Sequence, residues 1–163
     1  MSTLTFQRSL IIAAPVADVW ATVSDLDGYA GHTSSLAETT VTSGAGAGAR
    51  RRCVDATGKA WEETCAAWSP EQEYTIEVDV STYPAKYRAL FRSFTGTWST
   101  TPVDEGTRVT IRFEAVLRRF PGRFILARAL TRRSESEIDT ILNSYNDAVG
   151  AHGAREAMMP NPD

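Results

Sequence analysis

The chain of 163 residues has the length of one ordinary domain, and 42% hydrophobic with 23% charged residues is the make-up of a water-soluble globular protein. Its net charge of −3 argues against a nucleic-acid-binding domain, whose usual mark is an excess of base. No apolar run approaches the ~18 residues of a membrane span, and the first residues enter a strand pattern without a basic flank or apolar block, so a cytoplasmic location is expected.

In chain order, Leu4, Phe6, Arg8, Leu10 and Ile12 fall on one face of a β-strand and Thr5, Gln7, Ser9 and Ile11 on the other. At Pro15 the period changes. Val16, Val19, Trp20 and Val23 follow the spacing of an amphipathic helix, with proline in the first turn, where its missing N–H costs nothing, and Asp18 near the positive end of the dipole. Asp25 to Tyr29 leads into a second small helix or turn ending near His32. A strand follows around Glu38 to Thr42, and Ser43 to Ala49 (SGAGAGA) forms a glycine-rich turn. No Lys-Ser or Lys-Thr pair and no helix follows those glycines, so they are not a phosphate loop.

Arg50 to Val54 and Ala60 to Trp68 read as a hairpin turned at Asp55 to Gly58, and Tyr74 to Val80 as the next strand. After an interruption at Tyr83-Pro84, a long strand is expected over Tyr87 to Thr101, a turn at Val103 to Gly106, and a strand over Thr107 to Leu117. The last element follows Pro121-Gly122. Phe124, Ala127, Leu130, Ser134, Ile138, Ile141, Tyr145 and Ala148 recur every three or four residues, predicting a helix over Arg123 to Val149, with a polar gap at Thr131 to Glu137 where it kinks or splits. The expected domain spans residues 1–153, followed by a flexible tail over 154–163.

The hairpin places residue 53 opposite about residue 61, leaving Cys65 about four residues out of register with Cys53, too far for a disulfide. Two reduced thiols are expected. No metal site is expected either, because His32 and His152 stand alone. The order of elements describes an α+β fold: a curved antiparallel sheet of about seven strands wrapped around a long C-terminal helix, with two short helices after the first strand. Gly44, Gly46, Gly48 and Gly96 are candidates for the bends.

Several stretches together resemble one family. They are Ile11 to Trp20 (IIAAPVADVW), Asp25 to Tyr29 (DLDGY), Gly46 to Arg52 (GAGARRR), Trp61 to Glu63 (WEE) and Glu105 to Thr110 (EGTRVT). In this order and spacing they are similar to the START-like, or Bet v 1-like, helix-grip superfamily (SRPBCC), in its bacterial polyketide cyclase/dehydrase and lipid-transport branch. The resemblance covers about Leu4 to His152 and implies a cavity between the concave sheet face and the long helix, used for lipids, isoprenoids, polyketides or other apolar molecules, without a cofactor.

Candidate ligand-facing residues follow from the inferred inner faces. The Ala60 to Trp68 strand presents Trp61, Glu63, Cys65 and Ala67 on one side. The next strands present Tyr74, Ile76 and Val78, then Phe94 and Trp98, then Ile111 and Phe113; the helix presents Leu130, Ser134, Ile138, Ile141 and Tyr145. Tyr29 and His32 belong to the segment that, by the resemblance, borders the cavity mouth. Glu63 is the most informative: an inward carboxylate would orient a ligand hydroxyl or amine. Two plainer readings stay open, an inward Glu62 in its place or a Glu63 paired with an arginine. Of Arg50, Arg51 and Arg52, at least one must point opposite to the others; an inward one would neutralise Glu63 or grip a ligand carboxylate, while a solvated edge is the favoured reading.

Three functions remain open. The favoured one is a binder or carrier of a hydrophobic small molecule. The second is a polyketide aromatase/cyclase. Several such enzymes carry an arginine late on the strand after the Trp-Glu pair, where Ala67 stands here, and a Trp-Pro pair after the first helix, where Tyr29 to His32 stand. The third is a protein-interaction module. Expected partners are an apolar ligand and, through the arginine-rich stretch Arg118 to Arg133, an acidic carrier protein or a membrane surface; monomer and homodimer are both compatible.

Overall fold

The computed structural model describes residues 3–119 and 123–157, with the side chains of 125–155 in the last helix. Pro121-Gly122, the Phe124 side chain and the tail 158–163 lie outside the described residues. Seven antiparallel strands form one sheet: β1 Thr3–Ile12, β2 Leu36–Ser43, β3 Arg50–Asp55, β4 Ala60–Ser69, β5 Glu73–Val78, β6 Phe91–Val103 and β7 Gly106–Leu117. Their spatial order is β1-β7-β6-β5-β4-β3-β2. Helix α1 (Val16–Val23) and a 3-10 turn (Gly28–His32) follow β1, α2 is Ala85–Leu90, and α3 is Arg123–Ala157.

The proline switch works as the sequence reading expects. Pro15 caps α1 in an extended conformation, and Val19, Trp20 and Val23 are the buried side of that helix. Thr107, fully buried at the start of β7, donates its hydroxyl to the Ala14 carbonyl at 2.8 Å and ties the β1–α1 corner to the sheet. Gly106 must be glycine: its φ is +137°, and a Cβ there would sit 2.2 Å from the Ile12 carbonyl oxygen. Gly44, Gly46 and Gly48 also take positive φ in the β2–β3 turn, whereas Gly96 lies in extended β6.

The inner face of β1 carries Phe6 and Ile12 into the core, and Arg8 on the same face reaches Glu135 and Asp139 of α3 at 2.9 and 3.8 Å. Ile138, Ile141, Leu142, Tyr145 and Val149 are the buried stripe of α3. Together they clamp the helix over β1 and β7, with α1 and the 3-10 turn on its other flank.

Four expectations need correction. β5 ends at Val78 rather than Val80, because the Asp79 carboxylate takes the backbone N–H and hydroxyl of Ser81 at 3.0 and 2.6 Å and turns the chain. Residues 85–90 form α2, where strand was expected from Tyr87; Pro84 sets its start, and Ala, Lys, Arg and Leu are good helix formers. α3 runs unbroken from Arg123 to Ala157, past Val149. Its polar gap is satisfied in place: Thr131 donates to the Ala127 carbonyl one turn back in the same helix, and two tertiary contacts use the rest, Glu135 meeting Arg8 and Glu137 holding the 33–35 loop. Finally, Ala67 is exposed, because an irregularity in the β4–β5 ladder between Cys65 and Ala67 shifts the register and ends the inward alternation.

Candidate functional site

β3 and β4 pair so that Arg51 lies directly opposite Glu63 and Cys53 opposite Trp61. All four point inward and are buried. Arg50 and Arg52, the outward residues of the same strand, are exposed. One arginine of the triplet is therefore inside, and the solvated-edge reading of the whole triplet is corrected by the two-residue period of the strand itself.

The Arg51–Glu63 pair is closed on itself. Arg51 Nε donates to Glu63 Oε2 at 2.8 Å and Nη2 approaches the same oxygen at 2.7 Å. The other carboxylate oxygen, Oε1, accepts from the Trp61 indole N–H at 2.8 Å. The guanidinium carbon sits 4.8 Å from the centre of the Tyr29 ring, and Nη1 makes only a long 3.5 Å contact with the Leu26 carbonyl. Burial opposes the charge of Arg51, but the facing carboxylate outweighs it and holds the guanidinium above its ordinary pKa. Burial, then the Glu63 charge, pushes the Cys53 thiol up. Both cysteines are buried and free, and neither is an available nucleophile.

This pair forms one wall of a cavity of about 130 Å³. Tyr29, Ser35 and Leu36 close one side; Trp61, Ile76, Val78, Phe94, Trp98 and Phe113 come from the sheet; Tyr83 comes from the segment before α2. Gly96 forms part of the floor, because a Cβ there would collide with the Trp98 ring at 2.7 Å and with Phe113 at 2.9 Å. Tyr83 stacks edge-on against Trp61 at 5.2 Å and contacts Tyr87 at 5.4 Å. Burial first, and Glu63 next, raise the Tyr83 hydroxyl well above its ordinary range.

The other sequence candidates stand elsewhere. Tyr74 is stacked flat on Trp98 at 5.1 Å, and its hydroxyl donates to the Val23 carbonyl at 2.8 Å, which makes it core. Cys65, with its thiol on the Ala67 carbonyl, and Ile111 are core as well. On α3, Ile138, Ile141 and Tyr145 pack into the sheet, and Leu130 and Ser134 are half-buried; none is among the described lining residues. His32 packs on Tyr145 at 4.6 Å, with Nδ1 2.8 Å from the Ser144 hydroxyl, and burial lowers its pKa. The Arg51–Glu63 hollow therefore lies between the sheet and the 29–36 and Tyr83 segments, while large aromatics pack beneath the buried stripe of α3.

Sequence reasoning set Arg51 aside and missed Ser35, Leu36 and Tyr83. The signal for Arg51 was present, since strand alternation puts it on one face with Cys53. Tyr83 carried none, because its place depends on the turn at Asp79. The loop bearing Ser35 and Leu36 is held by Glu137, whose Oε1 accepts the Ser34 and Ser35 N–H groups at 2.8 and 3.2 Å and the Thr33 hydroxyl, while Oε2 accepts the Ser34 hydroxyl at 2.6 Å. Burial acts to raise the Glu137 pKa, but these donors outweigh it and keep the carboxyl below its ordinary value.

A seven-stranded antiparallel sheet curled around a long C-terminal helix defines a helix-grip protein of the Bet v 1-like type. The chain belongs to the family described as polyketide cyclase / dehydrase and lipid transport, whose model matches residues 3–141. No curated protein matches it in sequence. Among solved structures it is similar to the di-domain aromatase/cyclase StfQ of the steffimycin biosynthetic pathway (TM-score 0.75, 16% identity, 93% of this chain) and spans about half of that chain, 52%. It is also similar to the ZhuI aromatase/cyclase from Streptomyces sp. R1128 (TM-score 0.73, 16% identity, 91% of this chain and 94% of that one). Norcoclaurine synthase from Thalictrum flavum gives a TM-score of 0.71 at 14% identity, over 93% of this chain and 97% of that one. At such identities the likeness establishes fold alone.

Proposed function

We propose that this protein binds a small, neutral, largely apolar molecule in the Arg51–Glu63 cavity, one ring of which seats against Tyr29, Trp61 and Trp98. The single observation that carries this reading is a buried ion pair on the wall of an aromatic hollow. The size of the hollow sets the ligand. A cavity of ~150 Å³ takes benzene, and drug-sized ligands need ~300–1,000 Å³. The 130 Å³ here therefore seats a single ring or a short branched chain. Charge sets the rest. Glu63 already balances the charge of Arg51, so an anionic ligand would enter as a buried charge without a counter-charge, whereas a neutral carbonyl or hydroxyl needs only the spare donor capacity of Nη1.

The test is uptake of an environment-sensitive apolar dye and its displacement by neutral phenols, ketones and their carboxylate analogues, with native mass spectrometry for a co-purified molecule. Neutral compounds are expected to displace the dye more strongly than carboxylates of equal size. Glu63→Gln should alter ligand affinity while Glu62→Gln leaves it unchanged. A protein that takes up neither dye nor ligand refutes the reading.

A polyketide aromatase/cyclase is the second reading. It is favoured by the donor capacity that Arg51 Nη1 keeps beyond its long contact with the Leu26 carbonyl, which could polarise a ketone for aldol closure. Addition of the protein to a minimal polyketide synthase would then change the products formed. The small cavity weighs against it, since a poly-β-keto chain would have to displace Tyr83 or Phe94.

A further inference from the structure

Charge in this chain is segregated. Between Asp79 and Asp104, and again between Glu114 and Glu135, there is no acid; these two stretches hold nine of the 17 Lys and Arg residues, and all 20 Asp and Glu lie outside them. The fold brings the first stretch against the start of the second. Arg118 donates its backbone N–H to Leu90 at 2.8 Å and its Nε to the carbonyls of Arg88 and Phe91 at 3.0 and 3.1 Å. α3 begins five residues later, within about 18 Å of chain. Lys86, Arg88, Arg118, Arg128 and Arg132 are exposed, and among the described residues none forms an ion pair with a carboxylate. On α3, Arg128 and Arg132 share a shallow groove with Ala129 and Ile125, and Ile125 is 81% exposed. The same end of the molecule holds the cavity's outer wall, because Tyr83 contacts Tyr87 and Phe91, and Phe91 contacts Phe94.

We propose that the cationic surface formed by Lys86 and Arg88 of α2, Arg118 after β7, and Arg128 and Arg132 of α3 docks the protein on an anionic lipid bilayer, with Ile125 entering the interface and the arginines meeting lipid phosphates. Two features favour a bilayer over an acidic protein. The positive charge is spread across separate elements with no interspersed acid to fix a register, which suits a laterally uniform surface. A lone large aliphatic side chain among arginines one turn apart has the make-up of an interfacial helix face. Docked this way, the Tyr83–Phe94 wall of the cavity lies next to the membrane, the place where an apolar molecule is found. The proposal concerns the outer surface and stands whether or not the cavity ligand is as described above.

Co-sedimentation with vesicles of phosphatidylcholine alone and of phosphatidylcholine with phosphatidylserine tests it. Binding is expected to the anionic vesicles only and to fall as salt is added. Each arginine removed should weaken it about fivefold, so that Arg128→Ala with Arg132→Ala together lose about 30-fold, equivalent to about 2 kcal/mol. Ile125→Ser should remove the part of the binding that salt does not. The control pair Arg50→Ala with Arg52→Ala, on the convex face of β3, should bind as the native protein does, and circular dichroism verifies folding of each variant. Equal partition into both vesicles, no partition at all, or the same loss in the control pair overturns the proposal. Binding to polyglutamate without binding to vesicles also overturns it and assigns the face to an acidic protein. Dye uptake on the same samples reports separately on the cavity.

Discussion

Two halves of one concave sheet face behave oppositely. Under α3, the space is filled: Trp98 lies flat on Tyr74, Tyr74 and Trp68 flank Trp20, and Ile111, Ile138, Ile141 and Tyr145 complete the packing. Beyond Trp98, toward β3 and β4, the same face carries Arg51 and Glu63 and leaves a hollow. The difference is one of chemistry. Apolar side chains interdigitate to crystal-like density because any close contact helps. A buried ion pair needs directed partners, so the side chains around it are placed by bond geometry as well as by close contact. The packed half holds the helix; the charged half holds the space.

This contrast can be broken first at the pair. Arg51→Met leaves Glu63 buried without its counter-charge and should cost about 3–5 kcal/mol in chemical unfolding, whereas Arg51→Met with Glu63→Leu should recover most of that loss. A single variant as stable as the native protein would show that the pair is solvated. Ile141→Ala tests the other half. A fully buried aliphatic is removed there, so a loss of about 2–5 kcal/mol is expected, with dye affinity of the folded protein unchanged; altered affinity would mean the two halves are coupled.

Gly96→Ala acts at the boundary. Its Cβ must push Trp98 and Phe113 aside, which should cost about 1–3 kcal/mol and shrink the hollow, lowering dye uptake more than Ile141→Ala does. The smallest effect is expected from His32. Burial lowers its pKa in the folded state, with Asp25 acting weakly the other way, so the unfolded chain takes up the proton first. The stability this lends is present above the ordinary imidazole value of 6.5 and is lost as pH falls from there through the lowered folded value. His32→Gln should flatten the stability–pH curve in that window. A second loss, in more acid solution, belongs to Glu137: its folded pKa is lowered, so its contribution is full above the ordinary 4.5 and disappears as pH falls through the folded value.

Much of the fold was legible because its signals are local. Pro15 marks the change from a period of two to one of 3.6, and the seven strands announce themselves by alternation. Failures came where local propensity was the weaker term. Arg88 to Leu90 are good helix formers that a period-two reading passed over, and Pro84 after the Asp79 turn sets where the helix starts. Ala67 keeps the right parity in the sequence, yet one irregularity in the ladder moved it to solvent. The site was half legible: strand parity put Trp61, Glu63, Ile76, Val78, Phe94, Trp98 and Phe113 on the inner face, but parity does not say which inward residues meet a hollow and which meet a neighbour. Tyr74 and Trp98 share a face and differ only in how other elements close over them.

The sequence by itself determined the order of elements, the inward face of each strand and the family, because hydrophobic period, proline and glycine act over a few residues at a time. Tertiary structure alone decided that Arg51 would meet Glu63, that Tyr83 would wall the cavity, and that the buried stripe of α3 would meet packed aromatics. Those outcomes rest on register between strands, on one turn at Asp79 and on shape complementarity among side chains far apart in the chain, and no local pattern encodes them.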